Sequence, residues 1–212
     1  MPARCLFLLL FMLTSAHALT SAELQQFIDD AAKSDKGSEV VIPPGRHVLD
    51  KPLVVRDAKK MRLTGLDAET TVLMASEGMQ HVLELRGDCA QVWISKLTMD
   101  GAGLLAEKSG ALRIERCFFQ NTLGTAITLQ GCKEATITGC TVRDGASTAI
   151  ELAKDCTECV VRHCNVARCK LGVLLQGVKN CRVEQNDFLE CPEATREENG
   201  AAKNRIEQNE SR

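Results

Sequence analysis

The chain has 212 residues, with 26 Lys and Arg against 28 Asp and Glu, a formal net charge of −2, and 44% apolar residues. So near-neutral a balance excludes the electrostatic footprint of a nucleic-acid binder or of a protein held on anionic membranes. Aromatic residues make up only 3%, with one Trp and no Tyr, whereas Cys is plentiful at 11; ring-stacking sites are scarce, and the thiols need their own explanation.

Residues 1–18 have the layout of a secretory signal peptide: Arg4, an apolar run from Cys5 to Leu13, and the small-x-small end Ala16-His17-Ala18. The run is too short to span a bilayer, and the expected location is outside the cytoplasm, extracellular or periplasmic. Residues 19–38 then carry the one helix, over 20–34. Thr20 and Glu23 form a capping box, and Leu24, Phe27, Ile28 and Ala31 recur at i, i+3, i+4 and i+7. Such an amphipathic helix suits the covering of an open core end.

From residue 39 to 193 the apolar period is two. The segment VVIPPGRHVLDKPLVV (40–55) turns sharply at Pro43-Pro44-Gly45, and 56–80 is a longer, looser stretch with charged loops at 56–60 and 67–70. Three copies of one unit, identical in length, follow at 125–147, 148–170 and 171–193. In the first, Ile127 and Leu129 alternate with Thr128 and Gln130, Ala135 and Ile137 alternate with Thr136 and Thr138, and a short piece surrounds Val142. Three short strands separated by polar corners cannot close a core alone. Stacked on equivalent strands of the next unit, they can. Ile114 lies one unit length before Ile137, and Val183 the same length before Ile206, so the period extends both ways. The reading is an all-β, right-handed parallel β-helix of six to seven coils. Residues 194–212 form a degenerate last coil and polar tail, broken off midway and frayed beyond Asn209. Either this coil closes the core as a lid, or a second copy meets it there, or the chain is an incomplete product.

The PPG turn followed by PLVV, and coils ending in I-x-x-(N/C)-x-(F/V), resemble the right-handed parallel β-helix family typified by pectate lyases, over residues 20 to 210. That family contains polysaccharide lyases, glycosidases, epimerases, phage tailspikes and non-catalytic binding proteins, so the resemblance implies architecture and a polysaccharide partner. Relatives stack Asn side chains at one corner; this chain resembles them at Asn186 and Asn209 and places Cys117, Cys140 and Cys164 in the same column. Cys132 with Cys156, Cys159 with Cys181, and Cys169 with Cys191 share further columns. Cys packs as a small apolar residue, which makes core filling the expected role. Neighbouring coils lie within disulfide reach, and Cys169–Cys191 is the favoured pair because both fall in polar loops expected to be exposed. Cys156, Cys159, His163 and Cys164 resemble a zinc set, but shared columns account for the thiols, and no metal is expected.

Enzymes of this family place catalytic groups on the outer face of the first strand and in its flanking loops. Outward positions here are Glu84, Arg86, Leu105, Glu107, Thr128, Gln130, Glu151, Ala153, Leu174 and Gln176, a mixed surface without an acidic stack. The loops before that strand supply Asp100, Arg143, Asp144 and Arg168 as catalytic candidates. Asp100-Gly101 and Asp144-Gly145 serve equally as turn formers. Trp93 is the one candidate for an exposed aromatic. Two readings lead: a secreted, non-catalytic carbohydrate-binding or surface-structural protein, or a small polysaccharide lyase or related polysaccharide-active enzyme acting on acidic glycans. A third, a periplasmic accessory protein that helps mature a copper enzyme, has no His or Met cluster to support it. No cofactor is expected, except calcium in the lyase case.

Overall fold

The computed structural model describes residues 18–34, 36–145 and 147–212. Apart from Ala18, the leader reading therefore lies outside the described residues. The chain winds through three parallel sheets. Sheet A holds eight strands, from Ser38–Ile42 to Arg205–Glu207; sheet B holds eight, from Gly45–Leu49 to Glu210–Ser211; sheet C holds seven, from Leu53–Arg56 to Glu193–Glu198. Each strand pairs in parallel with its counterpart one coil away, as Ile114 does with Ile137 and Ile137 with Val161. The molecule is a β-solenoid of eight coils.

The interior consists of side-chain rows running along the solenoid axis. Sheet A contributes Leu63, Ile94, Ile114, Ile137, Val161 and Val183; sheet B contributes Leu73, Met99, Phe119, Val142, Val166 and Phe188. Sheet C adds Leu53, Leu83, Leu104, Ile127, Ile150 and Val173, and these rows are fully or almost fully buried. Strand alternation sends the intervening residues outward. Between strands the chain turns through single left-handed residues, such as Arg116 (φ 51°), His163 (φ 52°) and Gln185 (φ 56°) at A-to-B corners.

The helix, Ser21–Ala32, lies over the first coil. Thr20 and Glu23 form the capping box, and Leu24 and Ile28 are buried against the core. Its Gln25 side chain also completes the edge of sheet C: Nε2 donates to Val54 O at 2.8 Å, and Oε1 accepts from Val54 N at 2.8 Å. One amide thus stands in for a neighbouring strand.

Two expectations need correction. The coil count is eight rather than six to seven, because loops stretch the early coils: Leu53 pairs with Leu83, and Gly45 with Thr71, which hides the regular period. Nor does the degenerate last stretch fray at its end. Its sheet C strand, Glu193–Glu198, places Thr195 and Glu197 beside Val173 and Leu175, so the repeat continues in backbone while its apolar pattern lapses. Beyond Asn209, Glu210 and Ser211 pair with Asp187 and Phe188 instead of fraying.

Candidate functional site

The four catalytic candidates lie on the outer rim of sheet B, and they do not converge on a common point. Asp100 Oδ1 accepts from Asn121 Nδ2 at 2.8 Å, and its Oδ2 accepts from Gln120 Nε2 at 3.1 Å and Arg46 Nη2 at 3.5 Å. Arg143 donates to the other end of the Gln120 amide at 2.9 Å. Arg46, Asp100, Gln120 and Arg143 therefore form one chain of contacts running across successive coils. Asp144 and Arg168 instead form a two-pronged ion pair, at 2.6 and 3.2 Å. Arg168 holds the Asp144 carboxyl below its ordinary range. With φ at 58°, Asp144 is also a left-handed corner residue, and Gly101 (φ 89°) turns the chain after Asp100. Both aspartates are thus engaged as turn and pairing groups. A shallow open depression of about 480 Å³ lies beside Asp144, lined by Gly145, Arg168, Cys169, Lys170, Glu190 and Pro192.

The outer face of sheet C carries the denser polar arrangement. Register aligns Glu84, Leu105, Thr128, Glu151 and Leu174 in one outward row, and Arg86, Glu107, Gln130, Ala153 and Gln176 in the next. The Arg86 guanidinium bridges two coils, meeting Glu84 Oε2 at 2.7 Å and Glu107 Oε2 at 2.6 Å. His81 Nδ1 lies 3.5 Å from the other oxygen of Glu84, whose side chain is only 13% exposed. Burial pushes the His81 imidazole below its ordinary range, so at neutral pH it is a neutral ring beside the pair. Further along, Lys154 Nζ donates to Gln130 Oε1 at 2.6 Å, and burial pushes the Glu151 carboxyl up. Leu105 and Thr128 are buried between these polar groups.

His81, Glu84, Arg86 and Glu107 form a cluster that sequence reasoning did not assemble. Strand alternation alone sends the last three outward, but Arg86 and Glu107 are closer in sequence than one unit of the repeat. The coil joining them is short, with Leu83 opposite Leu104 and a register shift at His81/Leu83. These carboxylates do not suit the calcium set of a lyase, since Arg86 already occupies Glu84 and Glu107 together. Trp93 stands outward on sheet A, yet the Arg62 guanidinium lies 4.0 Å above its ring, covering the stacking face.

The corner columns are built as a ladder. Asn186 Oδ1 accepts from Cys164 N at 3.0 Å, while its Nδ2 donates to Val161 O and Asn209 Oδ1, both at 3.0 Å. Asn209 repeats the pattern one coil on, with Nδ2 donating to Val183 O at 2.9 Å. On the preceding coils, the Cys140 thiol donates to Ile114 O at 3.5 Å and the Cys164 thiol to Ile137 O at 3.9 Å. These are the carbonyls an amide would serve, so Cys140 and Cys164 are thiol rungs of the same ladder, and Cys117, whose thiol donates to Glu115 O at 3.5 Å, stands in their column. Asn204 continues the Cys159–Cys181 column, its Oδ1 accepting from Cys181 N at 2.8 Å. In the run that resembles a zinc set, Cys156, Cys159 and Cys164 are buried, while His163 occupies an exposed corner and does not join them. Cys169 is 2% exposed rather than in an open loop, and Cys191 is partly exposed.

Three parallel sheets wound eight times, with an amide-and-thiol ladder at one corner, define a parallel β-solenoid. The right handed beta helix region family matches residues 83–211, more than half of the chain, and the protein belongs to that family. No curated protein matches the sequence. Among solved structures, ORF18 of Geobacillus virus E2 aligns with a TM-score of 0.67 at 13% identity, over 82% of this chain and 43% of its own. The catalytic unit of a thermostable GH87 α-1,3-glucanase from Streptomyces thermodiastaticus aligns at 0.62 and 17%, over 84% and 41%. A GH87 α-1,3-glucanase catalytic domain in complex with nigerose aligns at 0.60 and 12%, over 83% and 38%. The chain spans less than half the length of each, and at these identities the likeness is one of fold.

Proposed function

We propose that the protein binds carbohydrate along the outer face of sheet C without cleaving it, and does so outside the cytoplasm. One observation carries this reading: two outward rows in register offer Glu84, Arg86, Glu107, Gln130, Glu151 and Gln176, with Lys154 at the adjoining corner, as a polar strip interrupted by Leu105, Ala153 and Leu174. Successive coils lie about 4.8 Å apart, so its donors and acceptors recur along the solenoid axis. A hydroxyl-rich polymer offers complementary groups in the same regular way. Similarity in fold to α-1,3-glucanases, one in complex with nigerose, supports this ligand class. The absence of cleavage rests on the carboxylates. Glu84 and Glu107 are tied to one guanidinium, whereas glycoside hydrolysis needs two carboxyl groups facing each other across a scissile bond.

A polysaccharide-active enzyme is the second reading, and it gains from Glu151, whose carboxyl is pushed toward the protonated form as a general acid requires. The full chain should therefore be tested against neutral and acidic glycans, α-1,3-glucan included, by calorimetry and by release of reducing or unsaturated ends with and without calcium. Binding that weakens about tenfold or more in Glu107→Ala, a loss of roughly 1.4 kcal/mol, with no ends released, is the expected result. Turnover abolished in Glu151→Gln would establish the enzyme instead. No binding to any glycan would end the carbohydrate reading.

A further inference from the structure

Four cysteines meet inside the solenoid at the corner between sheets C and A. Cys132 and Cys156 occupy one column on neighbouring coils, and Cys159 and Cys181 occupy the next. The coils touch directly at both columns: Thr157 N donates to Cys132 O at 3.0 Å, and Arg182 N donates to Cys159 O at 2.8 Å. The sulfurs interlock with this backbone. Cys132 N donates to Cys156 Sγ at 3.3 Å, the Cys159 thiol to Cys132 O at 3.6 Å, and the Cys181 thiol to Cys156 O at 3.8 Å. None of the four is more than 1% exposed. Neighbouring parallel strands run about 4.8 Å apart, inside the range of about 4.4–6.8 Å that a disulfide tolerates between Cα atoms. Unlike the three-membered column of Cys117, Cys140 and Cys164, each of these two columns holds two cysteines, so each can close one disulfide without leaving a thiol over.

We propose that Cys132–Cys156 and Cys159–Cys181 are inter-coil disulfide sites, two rungs that staple three successive coils. The structure holds all four as thiols, the reduced form of this pair of rungs. Oxidation takes two electrons and two protons per rung, accepted by a low-molecular-weight disulfide such as oxidised glutathione. The Cys156 thiolate attacks one glutathione sulfur and releases one glutathione. The Cys132 thiolate then attacks the Cys156 sulfur, forms the rung and releases the second. Cys159 and Cys181 follow the same two steps. Either cysteine of a rung can attack first, since the exchange is symmetric in the two thiols. Burial closes the finished core to glutathione, so exchange takes place as the coils wind. This inference is independent of the carbohydrate reading.

The full chain, unfolded and refolded in a glutathione redox buffer, would be denatured with iodoacetamide, then reduced and labelled with N-ethylmaleimide. Trypsin leaves Cys156 and Cys159 on one peptide, Asp155–Arg162, and Cys181 on Asn180–Arg182. The oxidised species before reduction is therefore three peptides joined: those two and the one ending at Lys133. Loss of four hydrogens from this species, and N-ethylmaleimide on all four residues, is the expected result. Iodoacetamide on all four overturns the proposal, as does fragmentation that joins Cys132 to Cys159 or Cys156 to Cys159. A Cys132→Ala/Cys181→Ala variant provides a second test. Its Cys156 and Cys159 lack column partners and should remain alkylatable thiols; a bond between them would refute the assigned pairing.

Discussion

Glu151 and His81 titrate in opposite senses on the same face, for one reason: burial disfavours the charged form of each. For Glu151 the folded-state value is raised, so the folded protein holds that proton more tightly than the unfolded chain does. Stability from this group is complete in acid and declines as pH rises from the unfolded value through the folded one. Glu151→Gln removes the penalty. It should raise the denaturation midpoint near pH 7 and leave it unchanged near pH 3, where the glutamate is already neutral; guanidinium titrations at both values would check this. A lower midpoint near neutrality would mean that an ionised Glu151 is held by a partner. His81 works the other way. Its folded value lies below 6.5, so its contribution is complete above that point and declines as pH falls through it.

At the scale of a strand and its corner, the ladder is what keeps neighbouring coils in register. Asn186 is 2% exposed and serves Cys164 N, Val161 O and Asn209 Oδ1 together. Asn186→Ala strands a buried N–H and a buried carbonyl, at about 1–3 kcal/mol each, and a total loss of about 3 kcal/mol is expected in chemical denaturation. Asn186→Cys should cost less, because a thiol at this position can still donate to Val161 O as Cys140 and Cys164 donate to their carbonyls. Equal losses in the two variants would show that the side-chain donor contributes nothing. This ladder was legible in the sequence because Cys117, Cys140, Cys164, Asn186 and Asn209 recur at the coil period. The strand rows were legible for the same reason. The cluster of His81, Glu84, Arg86 and Glu107 was not, since contacts between coils depend on register, and a shortened coil brings Glu107 opposite Arg86 sooner than the repeat would. Cys169 misled in another way: a polar neighbourhood in sequence, Arg168 and Lys170, flanks a side chain that the corner turns inward.

Across the whole molecule, each coil touches only its neighbours, so stability is close to a sum of coil and interface contributions, with the ends most exposed to loss. The first and last described coils are covered differently. At the N-terminal end Leu24 and Ile28 plug the core, and Gln25 satisfies the sheet C edge at Val54. In the last coil the covering residues are polar, with Glu197 bonded to Asn204 and Ile206 39% exposed. Leu24→Asp removes the plug and sets a carboxylate against the open core. Its effect should be local first: amide exchange in Ser38–Ile42, Gly45–Leu49 and Leu53–Arg56 should accelerate, while Thr148–Ala153 and Leu171–Gln176, several coils away, retain their protection. Hydrogen exchange read by mass spectrometry resolves these segments. Uniform acceleration along the chain would show that the coils unfold as one cooperative body, and the nearest-neighbour description would then fail. Graded acceleration from the helix inward would show that the cap holds the first coils against unwinding, while the ladder and the sheet C strip behind them rest on stability supplied by their own neighbours.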